Sequence, residues 1–512
     1  MSELAPVTVE TASGRLLGGS KGGIARFKGI PFAGPPVGPL RWRAPEPAEP
    51  WAGVRDAMRF GPICPQAPSA LEAMMGSAIA EQSEDCLYLN VWTAGCDGAK
   101  RPVMVWFHGG AFVIGAGSQG IYNGKHLAAR GVVVVTANYR LGAFGFLDMA
   151  DASDGASPGS GTEGIADQIA ALHWVKENIG AFGGDPGNVT IFGESAGAMS
   201  VGALLGSRLA GGLFHKAIAQ SGAAHIGLAR EKAARVAHAL LEEMGLSPKE
   251  AERAREAPAD AIVKAQIALL ADARDGADKR RLGRMPLQPC IDETVLDGPP
   301  IEAVRDGRAK GIPVLTGTTA EEWKLFTAAL PRVRMMSARG FETRLRKAFD
   351  GAAADALLAA YDEGSGYDRW NAYMTDRVFA QPAVRLLEAQ GAHAPVWTYR
   401  FDWRSKLMAG MFGSCHALEL GFVFGTHGIR LANKFFGTGP EAEALSAAMM
   451  QSWVAFANTG DPATNATGPW PRYDTHDRST MIFGAGPPQS ARDPRAERRE
   501  AWDGVADARL GP

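Results

Sequence analysis

One segment constrains the fold of this chain more than any other: residues 189–197, which read Val-Thr-Ile-Phe-Gly-Glu-Ser-Ala-Gly. Its apolar start predicts a strand, and the small residues that follow it predict a helix. A strand that enters a helix through Gly-x-Ser-x-Gly makes the sharp turn called a nucleophile elbow. Gly193 and Gly197 leave room where a β-carbon would obstruct such a turn. The segment therefore predicts a reactive Ser195, with the Ala196 N–H beside it as an oxyanion donor.

A second Gly-x-Ser-x-Gly match shows that the motif alone is a weak signal. In residues 155–159 the serine, Ser157, precedes Pro158, which has no N–H to donate. The flanking residues are those of a loop. We therefore expect Ser157 to lie in a loop, whereas the strand–turn–helix context of Ser195 favours ester-type hydrolysis.

Buried strands and helices alternate along most of the chain. Residues 164–180 carry Ile165, Ile169, Leu172 and Val175 at helical spacing. Continuous apolar runs are typical of central strands covered on both faces. They assign strands to residues 103–107, 132–137, 216–220, 312–317, 396–401 and 480–484. The alternation predicts an α/β fold with a mostly parallel central sheet.

Two long stretches differ from this pattern, residues 228–284 and 340–362. Both are rich in Ala, Glu, Arg, Lys and Leu, a composition that favours charged helices. We expect cap-like helical insertions over the active site at about 225–300 and 325–415. Because the candidate catalytic residues below span most of the chain, we expect one domain over 1–512.

Composition excludes several classes of function. The net charge of −2 gives no general attraction to nucleic acid or anionic membranes. No apolar run reaches the ~18 residues of a membrane span, and the N-terminus has no signal-peptide pattern, so a cytoplasmic location is expected. The five cysteines show neither a disulfide framework nor metal-ligand spacing.

An activated serine needs an acid and a base, in the order Ser, Asp/Glu, His of the α/β-hydrolase arrangement. The acid should follow a strand, because open α/β sheets place their sites at the carboxyl ends of strands. Glu322 lies just after the strand predicted at 312–317, and Glu321 is its immediate rival. The residues alone do not choose between them.

Three histidines follow both Ser195 and Glu322 with a predicted strand in between. They are His416, His427 and His476, and His427 is the serious rival of His416. The order of the residues along the chain slightly favours His416 as the base.

The loop directly after strand 103–107 reads His108-Gly109-Gly110-Ala111-Phe112. It matches the His-Gly-Gly loop whose N–H groups complete the oxyanion hole of esterases and lipases. A second glycine-rich segment, residues 115–120, fits the dinucleotide-binding pattern. It lacks a strand immediately before it and an acidic residue ~20 positions later, which argues against nucleotide binding.

Five further segments, in order with the elbow, extend this pattern over almost the whole chain. Together with the elbow they are Phe27–Ala33, Gly38–Trp42, Glu84–Val91, Asn138–Phe146, Gly193–Gly197 and Trp453–Pro462. On these segments the chain resembles the type-B carboxylesterases, the carboxylesterase and cholinesterase family of α/β-hydrolases, whose bacterial members include para-nitrobenzyl esterases.

The resemblance implies an assignment for each rival pair. The family's acid belongs to an Asp-Glu-Gly motif, whose register implies Glu322 as the acid, with Trp323 in place of the usual glycine. Its histidine precedes a Glu-Leu pair and a Phe-Gly pair, which implies His416 as the base. The implied oxyanion donors are Gly110, Ala111 and Ala196.

The resemblance also implies structural pairs. Arg41 with Glu84, and Arg140 with Asp167, match ion pairs that hold the family's loops. Cys64 and Cys86 match its first disulfide. Whether this bridge forms depends on the redox compartment, because a reducing cytoplasm keeps thiols reduced. The state of the two cysteines therefore stays undecided here.

The implied activity is that of a serine carboxylesterase, which hydrolyses small-molecule esters through an acyl-enzyme on Ser195 without a metal or cofactor. A non-catalytic binding protein on the same fold is one alternative, and a hydrolase of amides, carbamates or thioesters is another. Nothing in the sequence indicates an oligomeric state. Six residues of the insertions hint at an apolar pocket, with core packing as the alternative: Phe326, Met335, Met336, Met408, Met411 and Phe412.

Overall fold

A single large sheet runs through the protein. The structure is a computed structural model that describes residues 4–69, 80–275, 282–430 and 432–511, without the side chains of 272–275. Within these residues thirteen strands are found. Their bounds are β1 Ala5–Thr11, β2 Gly14–Lys21, β3 Ile24–Pro31, β4 Val54–Asp56, β5 Tyr88–Thr93, β6 Arg101–Phe107, β7 Val133–Ala137, β8 Gly184–Glu194, β9 Lys216–Gln220, β10 Val314–Thr319, β11 Val396–Phe401, β12 Ser479–Phe483 and β13 Gln489–Arg492.

Helices separate most of the later strands. The longest α-helices are Glu163–Asn178, Ala196–Gly206, Arg230–Glu243, Ala259–Asp275, Ala338–Ala348, Gly351–Ala360, Gly366–Thr375, Gln381–Gly391 and Pro440–Thr459. Shorter ones are Lys125–Ala128, Gly142–Gly145, Met149–Ala152, Ala251–Glu256, Pro300–Arg305, Lys324–Thr327, Pro331–Arg334, Leu420–Val423, Asn433–Phe436 and Ala496–Glu500. None of the helices in the described ranges is long and apolar enough to cross a membrane.

The centre of the sheet is parallel, as predicted. Its strand order is β1-β2-β3-β5-β7-β6-β8-β9-β10-β11-β12-β13, with β4 beside β2. Neighbours from β7 through β12 pair in parallel, whereas β1, β2, β3 and β5 on one side and β13 on the other pair antiparallel. Every residue of β7 and β9 is buried, because helices cover both faces.

Strand β10 differs in its bounds from the predicted strand at 312–317. It begins at Val314, because Pro313 has no N–H for the sheet ladder, and it continues to Thr319. This shift leaves two residues between the strand and Glu322. The other predicted strands agree with the observed ones to within two residues, and the predicted helix at 164–180 is confirmed as Glu163–Asn178.

Helices occupy both stretches that were predicted to be helical. The first holds the helices from Arg230 to Asp275, and its residues 276–281 lie outside the described ranges. Arg41 ties this stretch to the N-terminal part of the chain. Its guanidinium donates to Glu84 at 2.7 Å and to the carbonyl of Ala257, at the end of helix Ala251–Glu256, at 2.6 Å. A cation at a helix C-terminus is also favoured by the helix dipole.

A buried ion pair holds the loop after β7 against the helix Glu163–Asn178. Arg140 donates to both carboxylate oxygens of Asp167, at 2.7 and 2.8 Å, and its backbone N–H donates at 2.9 Å. A further N–H of the guanidinium reaches the Arg43 carbonyl at 2.7 Å. Because Asp167 is fully buried, water cannot solvate its carboxylate in place of Arg140.

Removal of one partner of this pair should destabilise the fold. Asp167→Asn leaves the Arg140 cation buried without a counter-charge, so the free energy of unfolding should fall by about 3–5 kcal/mol. Urea unfolding followed by tryptophan fluorescence measures the change. The control Glu10→Gln disrupts the exposed Arg15–Glu10 pair and should leave the urea concentration at the unfolding midpoint unchanged. Equal stability of both variants would contradict the role assigned to the buried pair.

Candidate active site

Ser195 lies in the sharp turn between β8 and the helix Ala196–Gly206. Its backbone is left-handed, with φ 56° and ψ −125°, a conformation that non-glycine residues rarely adopt. A β-carbon on Gly193 would overlap the backbone of Gly197, and one on Gly197 would overlap the carbonyl of Phe107. The predicted elbow is confirmed in geometry, and both glycines are required by close approach rather than by their own φ.

The loop after β6 lies directly against Ser195. A β-carbon added to Gly109 would lie 3.0 Å from the Ser195 β-carbon. Gly110 and Ala111 both have positive φ, 116° and 53°, and no residue of the described chain offers an acceptor to their N–H groups. The Ala196 N–H opens its helix and so has no intrahelical partner. The three predicted donors therefore belong to the two segments that meet at Ser195, and no described residue accepts a hydrogen bond from them.

Two buried side chains support this loop from behind. The ring of His108 stacks on Tyr139 with centroids 4.4 Å apart, and the Tyr139 hydroxyl donates to the His108 carbonyl at 2.6 Å. Burial lowers the pKa of His108 to about 4, so this imidazole is neutral. Gln66 brackets the far end of the loop, accepting from the Gly115 N–H at 2.7 Å and donating to its carbonyl at 3.0 Å.

Glu322 is fully buried and has hydrogen bonds to both carboxylate oxygens. One oxygen accepts from the Ser221 hydroxyl at 2.6 Å and from the Thr319 N–H at 2.7 Å. The other lies 2.6 Å from Nδ1 of His416. Ser221 directly follows β9, so three neighbouring strands supply the residues that hold this carboxylate. The bond fixes the orientation of the His416 ring.

The rival residues lie elsewhere. Glu321 turns away from His416 and binds Lys324, Arg404 and the Ser414 N–H. His427 stacks on Phe422 with centroids 5.3 Å apart, and His476 is an exposed residue beside Asp477. Ser157 lies in a loop, as predicted.

A second carboxylate, Glu194, faces the other nitrogen of His416. Its Oε1 lies 3.0 Å from His416 Nε2, and both side chains are buried. Burial alone would lower the pKa of His416, but the charges of Glu194 and Glu322 outweigh it and raise this pKa well above its usual range. The two carboxylates therefore favour the protonated form of the imidazole.

A third acidic residue, Glu419, completes this buried group. Burial, together with the charges of Glu194 and Glu322, raises the pKa of Glu419 to about 8. It is protonated at neutral pH, which keeps a third negative charge out of the interior. Its oxygen accepts from Gln220 at 3.1 Å, and Gln220 in turn accepts from Trp453.

Glu194, Glu419 and Ser221 were not singled out from the sequence as parts of the site. A signal existed for each of them, because Glu194 precedes the predicted nucleophile, Glu419 is three residues beyond His416, and Ser221 directly follows a strand at the site's edge of the sheet. A buried carboxylate is recognised only once its neighbours are known, so the tertiary structure was needed.

An aromatic surface extends outward from His416. Phe326 and Phe379 lie 5.3 and 4.7 Å from its ring, centroid to centroid. Trp323 extends this aromatic surface, with its ring centroid 4.9 Å from that of Phe326. The backbone of Trp323 is right-handed, with φ −70°. The position that is glycine in the family motif therefore does not require a left-handed residue in this chain. Of the other apolar candidates, Met335 and Met408 are exposed.

The cysteine pair that the resemblance implied is present as two buried, unlinked thiols. A hydrogen bond to Cys64, followed by burial, raises the pKa of Cys86 well above its usual range. The Cys86 thiol is therefore protonated and unreactive as it stands.

Comparisons with known proteins agree with this geometry. A sequence profile described as "Carboxylesterase family" matches residues 5–502. The chain is 41% identical to the para-nitrobenzyl esterase of Bacillus subtilis over 96% of this chain and 97% of the other. It is 34% identical to the phenmedipham hydrolase of Pseudarthrobacter oxydans, over 94% and 96%.

The chain belongs to the carboxylesterase family. Among solved structures, the Geobacillus stearothermophilus carboxylesterase EST55 superposes with a TM-score of 0.86 at 39% identity, over 97% of this chain and 99% of the other. The α/β-hydrolase fold is thereby confirmed, and this carboxylesterase is a carboxylic ester hydrolase.

The charge on His416 should depend on Glu194. Glu194→Gln removes the carboxylate at Nε2, so the pKa of His416 should fall. NMR titration of labelled histidine measures it directly. Glu321→Gln removes a neighbouring carboxylate that does not contact the ring and serves as the matched control. An unchanged His416 pKa in Glu194→Gln would show that the 3.0 Å contact does not control its charge.

Proposed function

We propose that Ser195 is the nucleophile of this carboxylesterase, His416 its general base and Glu322 the residue that orients the imidazole. The single observation that carries the proposal is the 2.6 Å contact of His416 Nδ1 with the buried Glu322. The other nitrogen of the same ring lies 3.0 Å from Glu194, the residue that precedes Ser195 in the elbow. The 41% identity to a para-nitrobenzyl esterase supports the same chemistry.

The reaction proceeds in two acyl transfers. His416 Nε2 takes the Ser195 proton as Oγ attacks the ester carbonyl, and Glu322 stabilises the imidazolium that forms. The N–H groups of Gly110, Ala111 and Ala196 bind the oxyanion of the tetrahedral intermediate. The alcohol leaves with the proton from His416. Water, activated by the same imidazole, then releases the carboxylic acid and restores Ser195.

Glu194 controls the first step of this sequence. While His416 is protonated, Nε2 is held by Glu194 and cannot accept the Ser195 proton. Because the pKa of His416 is raised, the base is neutral only above that raised value, and turnover increases as pH rises through it. The arrangement predicts an enzyme that works on the alkaline side of the ordinary histidine pKa.

The helical stretches at 230–275 and 324–391 supply the walls of the substrate site in this proposal. Phe326 and Phe379, next to His416, belong to the second stretch and form an apolar surface for a small-molecule ester. A non-catalytic binding role has no observation in its favour, since both partners of Ser195 are present and oriented.

Loss of the nucleophile should abolish turnover. Ser195→Ala should lower kcat for p-nitrophenyl butyrate by several orders of magnitude. Ser157→Ala, in the other Gly-x-Ser-x-Gly segment, is the matched control and should retain full activity. Substantial hydrolysis by purified Ser195→Ala would refute the assignment, and inactivity of the unmodified enzyme on every simple ester would favour a binding protein or an unusual substrate.

The two adjacent glutamates provide a second test. Glu322→Gln keeps the side-chain volume but loses the charge that stabilises the imidazolium, so kcat should fall by roughly 10⁴-fold. Glu321→Gln should leave kcat within a few-fold of its original value, because this carboxylate contacts only Lys324, Arg404 and the Ser414 backbone. Comparable losses in both variants would overturn the assignment of Glu322.

A further inference from the structure

A cluster of three arginines lies at the outer end of the aromatic surface that begins at His416. The guanidinium of Arg284 is 5.6 Å from the ring centre of Trp323 and 5.8 Å from that of Trp370. Arg344 lies over the same Trp370 ring at 5.3 Å. Arg377 is the third member: it lies just after the helix Gly366–Thr375 that carries Trp370, four residues beyond Tyr373, and its charge, with that of Arg344, adds to burial in lowering the pKa of Arg284.

The described part of the chain supplies no counter-charge to these cations. Within the described ranges, none of Arg284, Arg344 and Arg377 has a carboxylate within ion-pair distance, although the chain contains more acidic than basic residues. The nearby Asp376 is already bound to Arg495 and to the Tyr361 hydroxyl. Clustered like charges without a counter-charge are unfavourable, and an anion placed among them would remove that repulsion.

A buried hydroxyl beside the cluster also lacks a partner. Tyr373 is 1% exposed, and its hydroxyl has no hydrogen-bond partner among the described residues. Its ring lies 5.7 Å from Trp370, centroid to centroid. Burial raises the pKa of Tyr373 and the Arg377 cation opposes that rise, which places the hydroxyl next to the arginine. A neutral phenol of this kind donates a hydrogen bond to an anion.

The chemistry of Arg284 suits a carboxylate. A guanidinium that lies over an indole ring is held by the cation–π interaction while its N–H groups remain free at the edge of the plane. Two parallel N–H donors match the two oxygens of a carboxylate. Arg344 is exposed to solvent, and Arg284 keeps part of its surface exposed although it packs against two indole rings, so a ligand can reach both.

A continuous path joins this cluster to the catalytic imidazole. Trp323 contacts Phe326, and Phe326 contacts the His416 ring, so two aromatic rings separate the Arg284 guanidinium from the reacting centre. Phe326 is 42% exposed, and Trp323 and Trp370 are half-buried, which leaves the path open along its length. A chain of methylene groups fits such a surface.

We propose that Arg284, with Arg344, Arg377 and Tyr373, forms an anion subsite that binds a carboxylate at the remote end of the ester substrate. The substrate class is an ester whose apolar chain lies along Phe326 and Trp323 and ends in a carboxylate, as in a half ester of an aliphatic dicarboxylic acid. This inference rests on the proposed function, because it takes Ser195 as the point of attack on the ester.

Steady-state kinetics on paired substrates test the subsite. Each p-nitrophenyl half ester of adipic, suberic and sebacic acid is compared with the neutral p-nitrophenyl alkanoate of equal chain length. A second series places the carboxylate on the alcohol, as ω-carboxyalkyl acetates against alkyl acetates. In at least one series, kcat/KM should favour the anionic member, chiefly through KM, and the preference should diminish as salt screens the charge.

Substitutions identify the residue that causes the preference for the anionic substrate. In Arg284→Gln the ratio of kcat/KM for the anionic over the neutral substrate should fall by about tenfold or more, the value of a hydrogen bond to a charged group. Arg284→Lys keeps the charge without the planar fork and should restore part of the ratio. Arg332→Gln removes an exposed charge outside the cluster and should leave the ratio unchanged.

Three outcomes would overturn the subsite: no anionic preference in either series, a preference that survives Arg284→Gln, or the same loss in Arg332→Gln. The neutral esters keep the two proposals apart. If they are hydrolysed and Ser195→Ala abolishes that activity, the proposed function stands whatever happens to the subsite. If Ser195→Ala remains active on neutral esters, the proposed function itself fails.

Discussion

The close approach of two backbone segments at the end of β6 and β8 determines where everything else in the site lies. Gly197 packs directly on the Phe107 carbonyl, with no room for a β-carbon, and Gly193 packs in the same way on Gly197. This contact holds Ser195 in its left-handed conformation and brings the loop at Gly109 against it. The proposed nucleophile and oxyanion donors are therefore positioned by one packing constraint between neighbouring parallel strands.

The second organising feature is a group of buried charges around one imidazole. Glu322 binds one nitrogen of His416, and Glu194 faces the other. Two carboxylates on one histidine make its protonated form stable, which is an unusual state for a general base. The protonated Glu419 limits the negative charge of the group. The same interior that orients the ring thus also determines the pH at which it can accept a proton.

Much of this arrangement could be predicted from the sequence, because its local patterns are strong. Apolar runs located the central strands to within two residues, and the strand–Gly-x-Ser-x-Gly–helix pattern located the elbow. The geometry agrees with the choice of Glu322 over Glu321 and of His416 over His427, but the residues alone left those pairs open. The resemblance to a family supplied the choice. Glu321 and Glu322 are adjacent in sequence, and only the folded structure shows that their carboxylates point in different directions.

The sequence by itself determined the parallel α/β sheet and the elbow at Ser195, because both follow from short-range requirements: apolar runs in the strands and glycine at close contacts. The tertiary structure alone decided the environment of His416, the support of Glu322 by Ser221, and the meeting of Arg284, Arg344 and Arg377 around Trp370. These residues are far apart along the chain, and their charges interact only after the strands and helices have packed. Burial and electrostatic neighbours are properties of the folded chain, and they determine what each ionisable group can do.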